Sequence, residues 1–376
     1  MPGLGSAAPG MTKRGTKVIS RLQHTAVRST IRPMNLAVKP APRLTLPAEW
    51  YHQADIFERE RQFVFAREWQ FIGPASALAN PGDYIATEIT GWRIFVIKDR
   101  EGELRGFHNL CRHRAGHFLD DGQGHCDVLR CKYHGWVYDT KGELRATPAF
   151  GEAGWFDKKD YPLKPIKVAT WRGLVFVNLD LESAPLEKWL GDLPALTAPY
   201  PMESFHCLKE VAFEISCNWK TYTDNFVEGY HIPSIHAGLN AAIDFAGFET
   251  THGDNVVIMK APQRANSIYG GIWLWAYPNM TLSVYPNGMN TSRILPVDRH
   301  RGRLIYHFYF PEGSEEAARN RTIETNCQIV REDFGICEIA QRNLEAGAFS
   351  RGPLSPKQEA GVGYFHDRLR MSLGAN

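Results

Sequence analysis

The chain has 376 residues, 43% hydrophobic and 22% charged, a composition that suits a globular protein long enough for two domains. Its longest apolar runs, such as Gly173-Leu-Val-Phe-Val177, are far too short to span a bilayer, which excludes a membrane helix. The net charge of +2 is unevenly placed. Residues 1–43 hold eight Lys or Arg and no acid, so residues 44–376 carry −6, the difference from +2, and offer no footprint for nucleic acid.

In chain order, residues 1–44 read as a disordered basic tail, rich in small residues and without periodicity. Two origins fit it. It is an over-long start, with translation beginning at Met11 or Met34, or it is an organelle transit peptide; the first is preferred. No apolar signal region is present. The odd count of seven cysteines (111, 126, 131, 207, 217, 327 and 337) points to a reducing compartment, so a cytoplasmic location is expected. Cys207, Cys217, Cys327 and Cys337 sit among apolar neighbours and read as core thiols.

Residues 45–69 form an N-terminal helix packing on the second domain. Its amphipathic stretch runs from Ala54 to Trp69, with Ile56, Phe57, Glu60, Phe63, Val64 and Arg67 at helical spacing. From 70 to 180 the texture changes to short alternating runs, Asp83–Ile89, Trp92–Ile97 and Gly173–Asn178, punctuated by turns such as Asn80-Pro-Gly82. This is a small all-β domain. Residues 181–376 mix strands with helices, so the fold class is α+β.

The β domain carries Cys111-Arg-His113 and, after seventeen residues, Cys131-Lys-Tyr-His134. One Cys and one His from each of two loops suits a [2Fe-2S] cluster in which imidazoles replace thiolates on one iron. Zinc also accepts two Cys and two His, but zinc motifs pair Cys with Cys and His with His. Gly116 and Gly135 would let backbone approach the cluster. His108, His117 and His125 fit no such pair and read as surface or supporting residues.

The second domain carries Glu228-Gly-Tyr-His231 and then His236. Two His and a carboxylate on one face are what an oxygen-activating Fe(II) uses. His231 and His236 are five apart, about 140° on a continuous helix, and Pro233 would break that helix so both rings could meet one metal. Glu228, three before His231, would share its helical face. A third ligand is available downstream. Ile323, Cys327, Val330, Phe334 and Cys337 form an apolar stripe, and Asp333 points with it, whereas Glu332 and Glu338 lie off it. A buried carboxylate is expensive unless a cation balances it.

Asn109-Leu-Cys-Arg-His-Arg114, Cys131-Lys-Tyr-His-Gly-Trp136, Asn218 to His236, and Arg331-Glu-Asp-Phe-Gly-Ile-Cys-Glu338 together resemble the α (terminal oxygenase) subunit of Rieske non-haem iron oxygenases, over roughly residues 47 to 370. The branch most resembled includes choline- and carnitine-monooxygenase-like proteins and their ring-hydroxylating relatives. The resemblance implies a small all-β Rieske domain over 70–180. It also implies a catalytic domain over 181–376, with an antiparallel sheet and helices carrying the ligands. Cys111, His113, Cys131 and His134 would hold the cluster, and His231, His236 and Asp333 the mononuclear iron. It implies a homotrimer in which Glu228 joins His231 to His134 of the next chain, and it places Asn225, Tyr222 and Tyr230 near the iron.

The implied activity is O2-dependent hydroxylation of a small organic substrate. No dinucleotide fingerprint or ferredoxin spacing is present, so NAD(P)H would be oxidised by a separate reductase, with or without a ferredoxin. Tyr269, Trp273, Trp275, Tyr277, Tyr285 and Phe365 are candidate pocket aromatics, mostly core. Aromatic-ring hydroxylation is the first expectation and oxidation of a quaternary amine, caged by cation–π contact, the alternative. A pure electron-transfer protein would lack the second signature.

Overall fold

A computed structural model describes residues 42–262 and 271–374. The expected tail falls almost wholly on residues 1–41, outside the described residues. No described helix is long and apolar enough to cross a membrane.

The N-terminal segment buries Leu46, Tyr51, Ile56, Val64 and Phe65 in one apolar cluster with Trp219 and Phe365. It is not the single α-helix expected. Helix α1 (Ala54–Glu60) passes into a wide π turn at Arg61–Phe65, where Ala66 N–H donates to Arg61 O at 3.0 Å. The wide turn inserts a residue and rotates the downstream side chains about the helix axis. Val64 and Phe65 therefore both face inward, while Phe63 is left exposed.

Seven antiparallel strands build the β domain's main sheet, in the spatial order Gln70–Pro74, Leu174–Asn178, Pro165–Trp171, Leu104–His108, Trp92–Lys98, Asp83–Ile89 and Gly122–His125. A three-stranded sheet (Leu129–Arg130, Val137–Tyr138, Leu144–Ala146) supports the second cysteine loop. Phe95, Phe107, Leu129, Trp136 and Tyr138 pack with Cys111 and Cys131 into one core.

The second sheet is also antiparallel: Phe205–Ile215, Gly302–Pro311, Gly288–Pro296, Met280–Tyr285, Ile272–Ala276, Val256–Lys260 and Glu249–Gly253. Met280–Tyr285 and Gly288–Pro296 are buried along their whole length because both faces are covered. Leu274, Leu282 and Val284 pack towards Phe71, Phe176 and two short helices, α2 (Leu186–Leu190) and α3 (Leu193–Thr197). Trp275, Tyr277 and Tyr285 face the other way, onto the ligand-bearing helices. Buried Arg293 joins the two sheets, donating to Phe71 O at 3.3 Å and to Thr87 Oγ1 at 3.1 Å. Burial lowers its pKa to about 10.

Helix α4 (Trp219–Phe226) starts at Asn218, whose side chain accepts from Lys220 N–H. Two short helices come next, α5 (Ile232–Ile235) and α6 (Ala237–Ala242), then the thirty-residue α7 (Glu316–Glu345) and finally α8 (Ala360–Ser372). Phe365 of α8 lies edge-on to both Trp219 and Trp275.

Candidate metal centres and the cavity between helices

The two cysteine loops of the β domain are built alike. In the first, Cys111 N–H donates to Gly116 O at 2.7 Å and Ala115 N–H to Cys111 O at 3.0 Å. In the second, Cys131 N–H donates to Trp136 O at 2.8 Å and Gly135 N–H to Cys131 O at 3.1 Å. Gly135 has φ +71°, where glycine carries no penalty. Gly116 is needed for space: a Cβ there would lie 2.8 Å from Cys131 Sγ and 2.9 Å from Tyr133 Cβ.

Both thiols are buried, and the His113 and His134 rings stand edge to face at 4.6 Å. Trp136 stacks flat on His113 at 4.8 Å. His113 Nδ1 is buried with no hydrogen-bond partner. Burial, then the neighbouring His134 and Arg114, lower the His113 pKa and favour the neutral imidazole that a metal ligand requires. Burial raises the Cys111 pKa, so its thiolate needs a compensating cation. Two thiols, two imidazoles and one orphaned ring nitrogen are a donor set that fits the [2Fe-2S] group.

The second cluster of donors lies where α4, α5 and α7 meet. His231, His236 and Asp333 each offer an atom, and these atoms lie within 4.8 Å of one another. Asp333 Oδ1 is 2.8 Å from His236 Nε2 and 3.5 Å from His231 Nε2, and it accepts from Asn225 Nδ2 at 2.8 Å. Burying a carboxylate against two imidazoles in this way fits a divalent ion. Asp333 is inward on α7 with Cys327, Val330 and Cys337, as the stripe predicts.

The local chain path differs from the sequence expectation. Helix α4 ends at Phe226, and Glu228 to Tyr230 form a turn. Pro233 occupies the first turn of α5, where its missing N–H costs nothing, so it starts a helix instead of breaking one. His231 and His236 flank this short helix at its two ends. Glu228 reaches His231 across the turn, not along a helical face. Its Oε1 is 2.5 Å from His231 Nδ1, and its Oε2 accepts from the Tyr230 and His231 backbone N–H groups.

Glu332, expected to lie off the stripe, is also at the site. Its Oε2 is 2.7 Å from His236 Nδ1. Burial opposes charge on His236, but hydrogen bonds to Asp333 and Glu332 outweigh it and raise its pKa. Glu338 accepts from Ser216 N–H, away from these donors.

A cavity opens over His231, His236 and Asp333. Phe248, Trp273, Tyr306, Met259 and Ile243 line it, with Asn290, Ser283 and Asn326 as polar points. Gly229 admits Phe248, because a Cβ there would sit 2.2 Å from the ring. Trp273 Nε1 donates to Tyr285 OH at 2.9 Å. Of the expected aromatics among the described residues, only Trp273 reaches the wall. Trp275, Tyr277, Tyr285 and Phe365 belong to the core, and Tyr269 lies outside the described residues. Tyr222 and Asn225 line the cavity, whereas the Tyr230 side chain is exposed. A second depression lies across Asn225 and Glu228, beside Asp224 and Glu359.

The Rieske [2Fe-2S] domain family matches residues 68–170, and the ring hydroxylating alpha subunit catalytic domain matches residues 202–264 and 256–375. The chain belongs to the Rieske non-haem iron oxygenases, as their terminal oxygenase subunit. Among its relatives is choline monooxygenase, chloroplastic, of Beta vulgaris, 28% identical over 93% of this chain and 81% of that one. Another is the carnitine monooxygenase oxygenase subunit of Escherichia coli K12, 27% identical over 90% and 96%. A quaternary ammonium Rieske monooxygenase in complex with L-carnitine superposes with TM-score 0.81 at 26% identity, covering 89% of this chain and 97% of that one. Naphthalene 1,2-dioxygenase from Rhodococcus sp. shares the fold, with TM-score 0.75 at 19% identity over 88% and 94%.

Proposed function

We propose that this oxygenase hydroxylates a quaternary ammonium compound lacking a carboxylate, closer to choline than to carnitine. The carrying observation is the cavity wall. It combines the aromatic faces of Phe248, Trp273 and Tyr306 with the carboxylates Glu228 and Asp333, and among its described residues there is no Lys or Arg. A methylated ammonium cannot donate a hydrogen bond, so it is held by ring faces and by negative charge. A substrate carboxylate would find no cation in that wall. The relatives support the same class. Aromatic-ring hydroxylation, the first expectation from sequence, becomes the second reading.

Cys111, His113, Cys131 and His134 would hold the cluster, and His231, His236 and Asp333 the mononuclear iron. When bound, the cluster supplies single electrons and the Fe(II) the position at which O2 is activated. The protein's part is positional. Asn225 holds Asp333 by one oxygen. Glu228 orients His231 and faces the second depression, from which the partner subunit's His134 would reach it in a head-to-tail trimer. One related quaternary ammonium monooxygenase is described as transferring electrons between subunits. Electrons come from a reductase, as Rieske oxygenases require. The odd cysteine count, with Cys111 and Cys131 given to the cluster, supports a reducing compartment such as the cytoplasm.

The test is coupled turnover. Oxygenase loaded with both metal groups, mixed with a reductase and NAD(P)H, is offered choline, carnitine and naphthalene, and products are read by mass spectrometry. Stoichiometric product from choline, with little from the other two, is the expected result. Coupled oxidation of naphthalene alone would overturn the assignment.

A further inference from the structure

We infer that Glu332 is a positioning residue for the mononuclear metal, fixing His236 so that its Nε2 is presented to the ion. This rests on the reading of His231, His236 and Asp333 as ligands and goes beyond it. Two consecutive residues of α7 grip one imidazole from both sides. Asp333 Oδ1 stands 2.8 Å from Nε2, and Glu332 Oε2 stands 2.7 Å from Nδ1. His236 is 1% exposed, so no solvent competes for either nitrogen. Glu332 is itself held: its other oxygen accepts from Gln328 Nε2 at 3.1 Å, one helical turn back.

A carboxylate on Nδ1 keeps the proton there, leaves Nε2 as the free lone pair and makes the ring a stronger donor. Glu228 does the same for His231. The two supports differ in surroundings. Glu228 also lines the second depression, whereas the Glu332 carboxylate is engaged by Gln328 of its own helix and by His236. Glu332 therefore serves metal retention and geometry, without a part in the route between subunits.

The experiment compares Glu332→Gln, Glu332→Ala and Asp333→Ala with wild type, each carrying its cluster. Fe(II) affinity is measured anaerobically by competition with a chelator, and Co(II)-loaded protein gives a visible spectrum. Thermal midpoints check the fold. Both Glu332 variants should bind Fe(II) about 10- to 100-fold more weakly, with an altered Co(II) spectrum and a midpoint near wild type. Glu332→Gln keeps the shape and loses the charge, so a matching loss in both variants shows that charge matters. Unchanged affinity and spectrum in both would overturn the inference while leaving the ligand reading intact. Full metal retention in Asp333→Ala would instead overturn the ligand reading itself.

Discussion

Lys220 and Glu60 are both fully buried, with Nζ to Oε1 at 2.6 Å. Lys220 also donates to Asn218 Oδ1 at 2.7 Å, and Trp219 Nε1 donates to Glu60 Oε2 at 2.9 Å. The pair ties the N-terminal segment to the first turn of α4, the helix that carries Asn225. Lys220→Met removes the cation and strands a buried carboxylate, which costs about 3–5 kcal/mol. For a catalytic domain of this size that is a fall of roughly 6–20 °C in thermal midpoint. The loss should depend on pH. Burial already raises the Glu60 pKa, and Lys220 is the main influence against that. A group whose folded pKa is raised gives its stability below the unfolded value and loses it as pH rises through the folded value. The deficit should therefore be full near pH 8 and shrink towards about pH 4, the unfolded Glu value. Glu60→Gln combined with Lys220→Met keeps an acceptor for Trp219 and should restore most of the midpoint. Calorimetry from pH 5 to 8, with iron assays, reads this out. A single-variant deficit below about 1 kcal/mol, or one independent of pH, would refute a desolvated ion pair here.

The metal sites give further expected outcomes. Cys131→Ser should lose the brown colour and the acid-labile sulfide, and a retained cluster would contradict the ligand assignment. Gly116→Ala should do nearly the same, because its Cβ would press on Cys131 Sγ at 2.8 Å; absorbance and sulfide assays decide. Asp333→Ala should lose about one iron of three while keeping the sulfide, since the two sites share no ligand. Glu228→Gln should keep both groups and the wild-type elution volume yet reoxidise its cluster slowly in stopped flow, and a wild-type rate would exclude Glu228 from the electron route.

The cluster loops are legible in sequence because each pair of ligands is local, two or three residues apart, and their spacing carries the chemistry. Asp333 is legible by periodicity, since α7 is a long helix with one apolar stripe. Glu332 escapes the same logic: a long side chain on the flank of the stripe reaches a partner ninety-six positions away, and no helical wheel shows that. Pro233 misleads because proline either stops a helix or starts one, and the turn after Phe226 decides which. The aromatic wall is half legible. Trp273 and Trp275 point to the same face of their strand, but only the first lies over the metal donors, while the second sits under Phe365 of α8. Alternation gives the face; the position along the strand comes from helices far away in sequence.

Charge at the centre links the metal reading to the substrate reading. Glu228, Glu332 and Asp333 surround two imidazoles, and three carboxylates against one divalent ion leave one negative charge uncompensated. No Lys or Arg among the described residues lines the cavity to offset it. In a site of low dielectric such a charge acts strongly on whatever enters. A quaternary ammonium is attracted by it and by the faces of Trp273, Phe248 and Tyr306. A neutral hydrocarbon gains only from the apolar wall, and an anion is repelled. The acid excess that suits these donors to a metal therefore also favours a cationic substrate.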